Sequence, residues 1–186
     1  MLGRPDVFVP NAPGEWIHPD AAPTEEVVAI ARACPSGAIR YERLDGGPQE
    51  EPPPVNLARV RENGPLAVHA ALEIEGHAPE LRATLCRCGA SKNKPYCDGS
   101  HVAAGFQATG EPAAQGGPGV SERGGKLEVT PIPNGPLLVR GNVEVVTGTG
   151  KTIWKADRTT FCRCGGSSKK PFCDGTHNAI RFRTDV

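Results

Sequence analysis

The sequence is poor in large apolar side chains and carries no excess of either charge. Among 186 residues, aromatic residues make up 5%, one methionine is present, and 21 Lys and Arg residues balance 21 Asp and Glu residues. Nucleic-acid binding uses basic surfaces and aromatic stacking, so we expect no nucleic-acid partner. There is no run of about 18 apolar residues and no signal-peptide pattern at the N-terminus. We therefore expect a soluble, cytoplasmic protein with no membrane partner.

The sequence is rich in glycine and proline, and it contains seven cysteines. The 23 glycines and 19 prolines are roughly twice the average share, so the chain is rich in loops. Small modules with thin cores are commonly stabilised by metal, because metal binding adds to the folding free energy. We find no Ser/His/Asp arrangement, phosphate-binding glycine loop or carboxylate pair, so we do not expect an enzyme.

Six of the seven cysteines lie in a motif that occurs twice. The sequence CRCGASKNKPYCDGSH begins at Cys86, and CRCGGSSKKPFCDGTH begins at Cys162. Each copy offers three thiols and one imidazole at identical spacing, and such a repeat indicates a duplicated functional unit. The predicted ligands are Cys86, Cys88, Cys97, His101, Cys162, Cys164, Cys173 and His177.

This ligand set suits either a structural zinc ion or an iron–sulfur cluster. The ligands of closed zinc sites usually come in pairs with two to four residues between them, whereas one residue separates Cys86 from Cys88. A binuclear cluster fits this spacing, because the Cys–Cys pair can hold one iron and the Cys–His pair the other. The pattern therefore favours [2Fe-2S], and a tandem zinc module that binds RNA or a protein is the alternative.

The duplication extends beyond the ligands. Asn-Gly-Pro turns at 63–65 and 134–136 are each followed by alternating apolar residues, which predict half-buried, antiparallel β-strands. The second copy has five more residues around 148–155, and an enlarged hairpin loop would absorb them.

Other polar residues of the motifs are expected to support the sites. Asp98 and Asp174 are predicted to cap the short helix that carries each histidine. The basic residues are expected to lie on the surface and offset cluster charge, or to form a docking face for an acidic redox partner, or to tune the reduction potential by hydrogen bonding. They are Arg87, Lys92, Lys94, Arg163, Lys169 and Lys170.

The motif resembles the CDGSH iron–sulfur domain family at every defining position. The matching residues are the Cys-x-Cys pair, Ser91 or Ser167, Pro95 or Pro171, and the Cys-Asp-Gly-(Ser/Thr)-His run. The resemblance implies an α+β, mainly β fold, in which two tandem repeats form an intrachain pseudo-dimer with a shared β-cap and two cluster-binding lobes. It also implies one [2Fe-2S] cluster in each copy, bound by the eight ligands named above. We therefore expect a monomer with two clusters.

The ligand set predicts how these clusters behave. A neutral imidazole in place of one thiolate should raise the reduction potential above that of an all-cysteine ferredoxin, but not to that of a two-histidine Rieske centre. Imidazole also takes up a proton near neutral pH, so we expect the iron–nitrogen bond to be acid-labile. The expected function is one-electron transfer to a redox partner, or storage and transfer of the cluster to an apo iron–sulfur acceptor. A redox or iron sensor is the alternative.

The N-terminal segment resembles the second half of a divergent ferredoxin domain, through RACPSGAI at 32–39 and WIHPD at 16–20. Thr24 is predicted to cap a helix with Cys34 on its apolar face. Since the chain begins before further cluster cysteines could occur, we expect a truncated module without a cluster, and about four irons per chain. The predicted domains are a ferredoxin-like segment 1–44, a Pro/Gly-rich linker 45–59, a first repeat 60–106, a flexible linker 107–128 and a second repeat 129–186.

Overall fold

The computed structural model describes residues 4–184, and the chain divides into two compact units, 1–51 and 52–186. Helices of the described residues are all too short or too polar to cross a membrane. The second unit contains both motifs, and the first contains the segment that precedes them.

The first unit is built around helix α1, Thr24–Ala33. The residue before the helix is Pro23, and no side chain caps the first turn, so the prediction that Thr24 is the cap was wrong. Proline restricts φ to a value close to that of a helix, which lets it precede the first turn without a capping side chain. The helix buries Val28 and Ala31, and Cys34 follows it in a buried position.

The second unit consists mainly of β-strands, with two four-residue helices. In chain order its elements are β1 (Leu57–Val60), β2 (Leu66–Ile74), β3 (Glu80–Leu85), α2 (Ser100–Ala103), β4 (Lys126–Pro131), β5 (Leu137–Val146), β6 (Thr152–Phe161) and α3 (Thr176–Ala179). The alternating segments predicted after the two Asn-Gly-Pro turns are β2 and β5. The fold is therefore α+β and mainly β, as expected.

Strands from the two copies pair with each other in a closed ring. Antiparallel pairing joins β1 to β2 and β4 to β5. Parallel pairing joins β1 to β5 and β2 to β4, so it connects one copy to the other. The remaining strands, β3 and β6, pair with β2 and β5 respectively. Each copy thus contributes strands to one shared sheet, which confirms the predicted pseudo-dimer, although only its antiparallel pairs were predicted.

The apolar core belongs to both copies. Leu66 and Leu72 from β2 lie in one cluster with Leu137 and Val145 from β5, and all four are almost fully buried. Full burial of such a side chain contributes about 1.5–3 kcal/mol. Because the cluster draws on both copies, neither copy has a complete core of its own.

The first strand of each copy starts earlier than the predicted domain boundaries. β1 begins at Leu57, inside the segment 45–59 expected to be a linker, and β4 begins at Lys126, inside the segment 107–128. Only Ala58 and Val60 are buried in the four-residue β1, so its alternation is too short to stand out in the sequence.

The five additional residues of the second copy lie in its strands and not in an enlarged hairpin loop. Loops of equal length, 75–79 and 147–151, join the strands in both copies, while β6 is four residues longer than β3 and β5 is one residue longer than β2. The added length of β6 binds the segment between the copies: Gln115 N–H donates to Ile153 O at 2.9 Å, and Gly116 pairs with Trp154. The segment expected to be a flexible linker is therefore hydrogen-bonded to β6.

Candidate metal centres

Each motif begins where the last strand of its copy ends. In the first copy, Cys86 N–H donates to Pro95 O at 2.9 Å, and Cys97 N–H donates to Thr84 O at 2.8 Å. The second copy has the same two hydrogen bonds, at 2.9 and 3.0 Å. The chain therefore folds back beside its own strand, which brings the third cysteine next to the first.

The ligand atoms form two close pairs in each copy. Bonds of about 2.3 Å to sulfur and about 2.0 Å to nitrogen at a tetrahedral metal place two sulfurs about 3.7 Å apart, and a sulfur and a nitrogen about 3.5 Å apart. Every pair is close to these values. The distances are Cys86 Sγ–Cys88 Sγ 3.7 Å, Cys97 Sγ–His101 Nδ1 3.3 Å, Cys162 Sγ–Cys164 Sγ 3.6 Å and Cys173 Sγ–His177 Nδ1 3.4 Å.

The two pairs of a copy do not converge on one metal position. Across residues 4–184, no three Cys, His, Asp or Glu side chains are grouped closely enough to hold a single metal ion. The pairs are nevertheless neighbours, because the hydrogen bonds from Cys86 N–H to Pro95 O and from Cys97 N–H to Thr84 O hold the two segments that carry them side by side. Each copy therefore offers two adjacent metal positions, with one pair of ligands for each.

Burial favours the protonated thiol at three of the motif cysteines, Cys88, Cys97 and Cys164. Burial raises the pKa of Cys164 to about 11, with further contributions from Cys162 and Cys173. Burial also raises the pKa of Cys97. Since a metal binds the thiolate, metal binding at these sites must release protons.

A serine fixes the turn between the second and third cysteines of each motif. Ser91 Oγ donates to Tyr96 O at 2.6 Å and accepts from Asn93 N–H at 3.1 Å. Ser167 makes the equivalent contacts at 2.7 and 3.0 Å. These buried hydroxyls hold the shape of the loop, so the serine of the motif has a structural role.

Asp98 connects this loop to the helix that carries His101. Its carboxylate accepts from Lys92 N–H at 2.8 Å and from Ser100 N–H, at the start of α2, at 3.0 Å. Hydrogen bonds from Ser100 and Lys92 hold the pKa of Asp98 well below its usual range. Asp174 is placed equivalently in the second copy. The N-cap residues are Gly99 and Gly175, so the prediction that the aspartates cap these helices was wrong. Each aspartate lies one residue before the N-cap and ties the first N–H of the helix to the preceding loop.

The arginine inside each Cys-x-Cys pair is buried, which corrects the expectation that it lies on the surface. Arg87 is 2% exposed, and its guanidinium donates to Gly64 O at 2.7 Å and to Arg61 O. Arg163 is 3% exposed and donates to Gly135 O at 2.8 Å. Each arginine therefore ties its ligand loop to the Asn-Gly-Pro turn of its own copy. Arginine is seldom buried, so composition gave no sign of this role.

The other basic residues of the loops divide into two kinds. The ammonium groups of Lys94 and Lys170 donate to the main-chain carbonyl of the serine in their own loops, at 2.7 and 2.5 Å. Lys92 and Lys169 are exposed. Lys92 and Lys169 therefore extend into solvent, whereas Lys94 and Lys170 are partly buried against their own loops.

The two ligand loops contact each other through their main chains. A Cβ on Gly89 would stand 2.8 Å from Cys164 O, and a Cβ on Gly165 would stand 2.5 Å from Cys88 O. Both glycines have a positive φ, of 82° and 80°, which other residues rarely adopt. Glycine at both positions therefore allows the backbones of the two ligand loops to contact each other.

Each buried arginine is electrostatically coupled to the opposite motif. Burial lowers the pKa of Arg87 to about 10, and the largest opposing contribution is its attraction to Cys162. Burial also lowers the pKa of Arg163, opposed by its attraction to Cys86. The guanidinium of each arginine therefore lies within electrostatic range of the first cysteine of the other copy.

Cys34 is the one cysteine outside the motifs. Burial raises the pKa of its thiol, but hydrogen bonds from Ser36 and from nearby backbone N–H groups outweigh burial, so the pKa lies below its usual value. Residues 1–44 contain no second cysteine. An iron–sulfur cluster requires several cysteine ligands, so these residues do not provide a ligand set of their own.

Comparison with protein families agrees with this geometry. The family described as iron-binding zinc finger, CDGSH type, matches residues 63–102 and 134–178, and the family described as divergent 4Fe-4S mono-cluster matches residues 1–44. A search of curated proteins finds no match to the chain. The fold and both loops, with these matches, define an iron–sulfur protein. Residues 63–102 and 134–178 are thus two CDGSH-type domains in tandem, preceded by a segment that matches the divergent 4Fe-4S family.

Proposed function

We propose that each motif binds one [2Fe-2S] cluster through its three cysteines and one histidine, and that the chain transfers single electrons between partner proteins. The cluster supplies the one-electron chemistry, since it is stable in two oxidation states. The protein supplies the ligands, their spacing and the contact between the two sites.

The pairing of the ligands supports a binuclear cluster. Each pair is spaced for one tetrahedral metal, and the two pairs of a copy lie next to each other. A single zinc ion would need all four ligands to converge, and within the described part of the chain no three do so.

The observation that carries electron transfer is the contact between the ligand loops. Gly89 lies against the backbone of Cys164, and Gly165 lies against the backbone of Cys88. A ligand of each site thus touches the loop of the other, which favours passage of an electron between the sites. A chain with two such sites can accept an electron at one and deliver it from the other.

The placement of the histidines supports a second function, the transfer of the cluster itself. His101 and His177 stand on four-residue helices, none of whose residues is buried. Little packing must be lost for these helices to move, so the histidine side of each site can open without disturbing the core.

Colour and metal analysis test the cofactor. We expect a reddish protein whose visible absorbance bleaches on reduction, with about four irons and four sulfides per chain. About eight irons would show a further centre involving residues 1–44. A colourless protein with stoichiometric zinc would refute the proposal.

Mixing the reduced protein with an acceptor separates the two functions. With an oxidised one-electron acceptor protein, electron transfer re-oxidises the chain and leaves all iron bound to it. With an apo iron–sulfur acceptor, cluster transfer moves iron and sulfide to the acceptor. Electron transfer should be fast and salt-dependent with an acidic partner, because Lys92 and Lys169 are exposed beside the two sites.

A further inference from the structure

Arg87 has one nitrogen that the first motif does not use. Its Nε donates to Gly64 O and its Nη2 to Arg61 O. Its Nη1 is buried and has no hydrogen-bond partner among the described residues. Buried donors in native proteins are nearly always paired, so this nitrogen requires an explanation in the function of the site.

The side chain of Arg87 is held in this orientation. It is 2% exposed, two of its nitrogens are hydrogen-bonded, and its guanidinium carbon lies 5.6 Å from the centroid of the Phe106 ring. Because a guanidinium group is planar and rigid, hydrogen bonds at two of its nitrogens also fix the position of the third nitrogen. The direction of Nη1 is therefore set by contacts within the first copy.

The surroundings of Arg87 point to the second copy. Of the described carboxylates, none forms an ion pair with it, and Cys162 of the second motif is the first of the groups whose electrostatic interaction opposes the effect of burial on the pKa of Arg87. The Gly89 to Cys164 contact places the loop of Arg87 directly against the loop of the second site. The buried guanidinium of Arg87 thus lies on a loop that contacts the opposite motif.

We propose that Arg87, although it belongs to the first motif, is a positioning and tuning residue of the second site, where its Nη1 donates a hydrogen bond to a sulfur of the bound cluster or of its cysteine ligands. This inference rests on the proposed [2Fe-2S] clusters. A donor to sulfur stabilises the reduced, more negative state and raises the reduction potential.

The two sites should then differ. Arg163 donates to Gly135 O and Ile132 O just as Arg87 does in its own copy. Its Nη1 likewise donates no hydrogen bond within the described chain, but unlike Nη1 of Arg87 it is not fully buried. Water can compete for this nitrogen, so the first site gains the weaker hydrogen bond and the second site should have the higher potential.

The test is a redox titration of the full chain, followed by electron paramagnetic resonance. His101→Cys and His177→Cys, each of which alters one site, assign the two midpoint potentials. We expect Arg87→Gln to lower the second-site potential more than the first. Arg163→Gln, the matched control, should lower the first-site potential by less than Arg87→Gln lowers the second.

Three results would overturn the proposal: equal shifts at both sites in Arg87→Gln, a shift at the first site alone, or loss of iron from the first motif with the second-site potential unchanged. If Arg87→Gln retains no iron, the same redox titration is carried out on Arg87→Lys. It keeps the charge but loses the planar fork, so its second-site potential must shift, and an unshifted potential would overturn the proposal. Iron and sulfide analysis of the unmodified protein tests the cofactor separately.

Discussion

Gly89 and Cys164 belong to different motifs, yet their main chains meet so closely that a Cβ on Gly89 would stand 2.8 Å from the carbonyl oxygen of Cys164. The contact is reciprocal, because Gly165 approaches the carbonyl of Cys88 in the same way. The two metal centres are therefore not independent modules on one chain. A change in the backbone of either ligand loop must reach the other.

The first prediction concerns this contact. Gly89→Ala should destabilise the protein more than Gly76→Ala, a control with nearly the same φ, 83° against 82°, but with open space around its Cβ. Both variants carry the cost of a left-handed conformation, about 1–2 kcal/mol. The clash at Gly89 adds about 1–3 kcal/mol, because the carbonyl it meets is backbone and cannot turn away. Urea unfolding of both variants measures the difference.

Iron analysis of the same variants shows whether the contact couples the sites. Gly89→Ala should lower iron occupancy at both motifs, whereas Gly76→Ala should leave it unchanged. If Gly89→Ala is no less stable than Gly76→Ala and keeps its full iron content, the loops do not touch as described.

The second prediction concerns the histidine ligands. Replacing His101 and His177 by Cys should lower the reduction potential of both sites, because a fourth thiolate makes each site more negative. It should also slow the loss of visible absorbance in mild acid, because imidazole is the ligand that gains a proton near neutral pH. Absorbance followed over time at pH 5 and pH 8 measures this. If the double variant loses its visible absorbance in acid as fast as the unmodified protein, the histidines do not control release of the cluster.

The third prediction separates Cys34 from the motif cysteines. Cys34→Ser should keep the full iron content, because residues 1–44 offer no other cysteine to share a cluster with it. Cys88→Ser, the matched control within a motif, should lower iron to about half. A loss of iron in Cys34→Ser would show that the N-terminal unit does hold metal.

The fourth prediction concerns Glu144, a buried carboxylate on β5. Its side chain is 2% exposed and pairs with Arg123 and, at 3.3 Å, with Lys155. The hydrogen bond from Arg123 lowers the pKa of Glu144 against the effect of burial. Because the folded-state pKa lies below the unfolded value of about 4.3, this group stabilises the fold above about pH 5. That stability is lost as the pH falls through and below 4.

Glu144→Gln should therefore lower the free energy of unfolding at pH 7 by about 1–2 kcal/mol, and the difference from the unmodified protein should shrink toward pH 4. Acid removes metal from both proteins, so the difference at each pH is the quantity to follow. Glu73→Gln is the control, since it breaks only an exposed pair with Lys126 and should have little effect at any pH. An equal effect of the two substitutions would contradict the prediction.

The ligands and the long strands could be predicted from the sequence because their signals are local. The spacing from Cys86 to His101 is repeated from Cys162 to His177, and the structure brings each set together as the same two pairs. The alternation after each Asn-Gly-Pro turn likewise marks β2 and β5. Each of these patterns depends on neighbours within about sixteen residues of sequence.

The remaining features depend on contacts between residues far apart in the sequence, which no local pattern shows. The parallel pairs β1–β5 and β2–β4 join residues far apart in the chain. The burial of Arg87 and Arg163 depends on turn carbonyls more than twenty residues away, so a basic residue in a loop was assigned to the surface. The extra length of β6 is explained by its hydrogen bonds to the segment between the copies, and the sequence alone does not show these bonds.

The closed ring of strands also determines how the protein responds to dilution. A single copy on its own would leave the edges of β1 and β2 that face the other copy without partners, and it could cover them only by meeting a second molecule. In this chain the connecting segment holds the second copy close to the first. The effective concentration of one copy near the other is in the range of about 1 mM. The paired sites therefore stay together at any cellular abundance, and a scarce protein still has both.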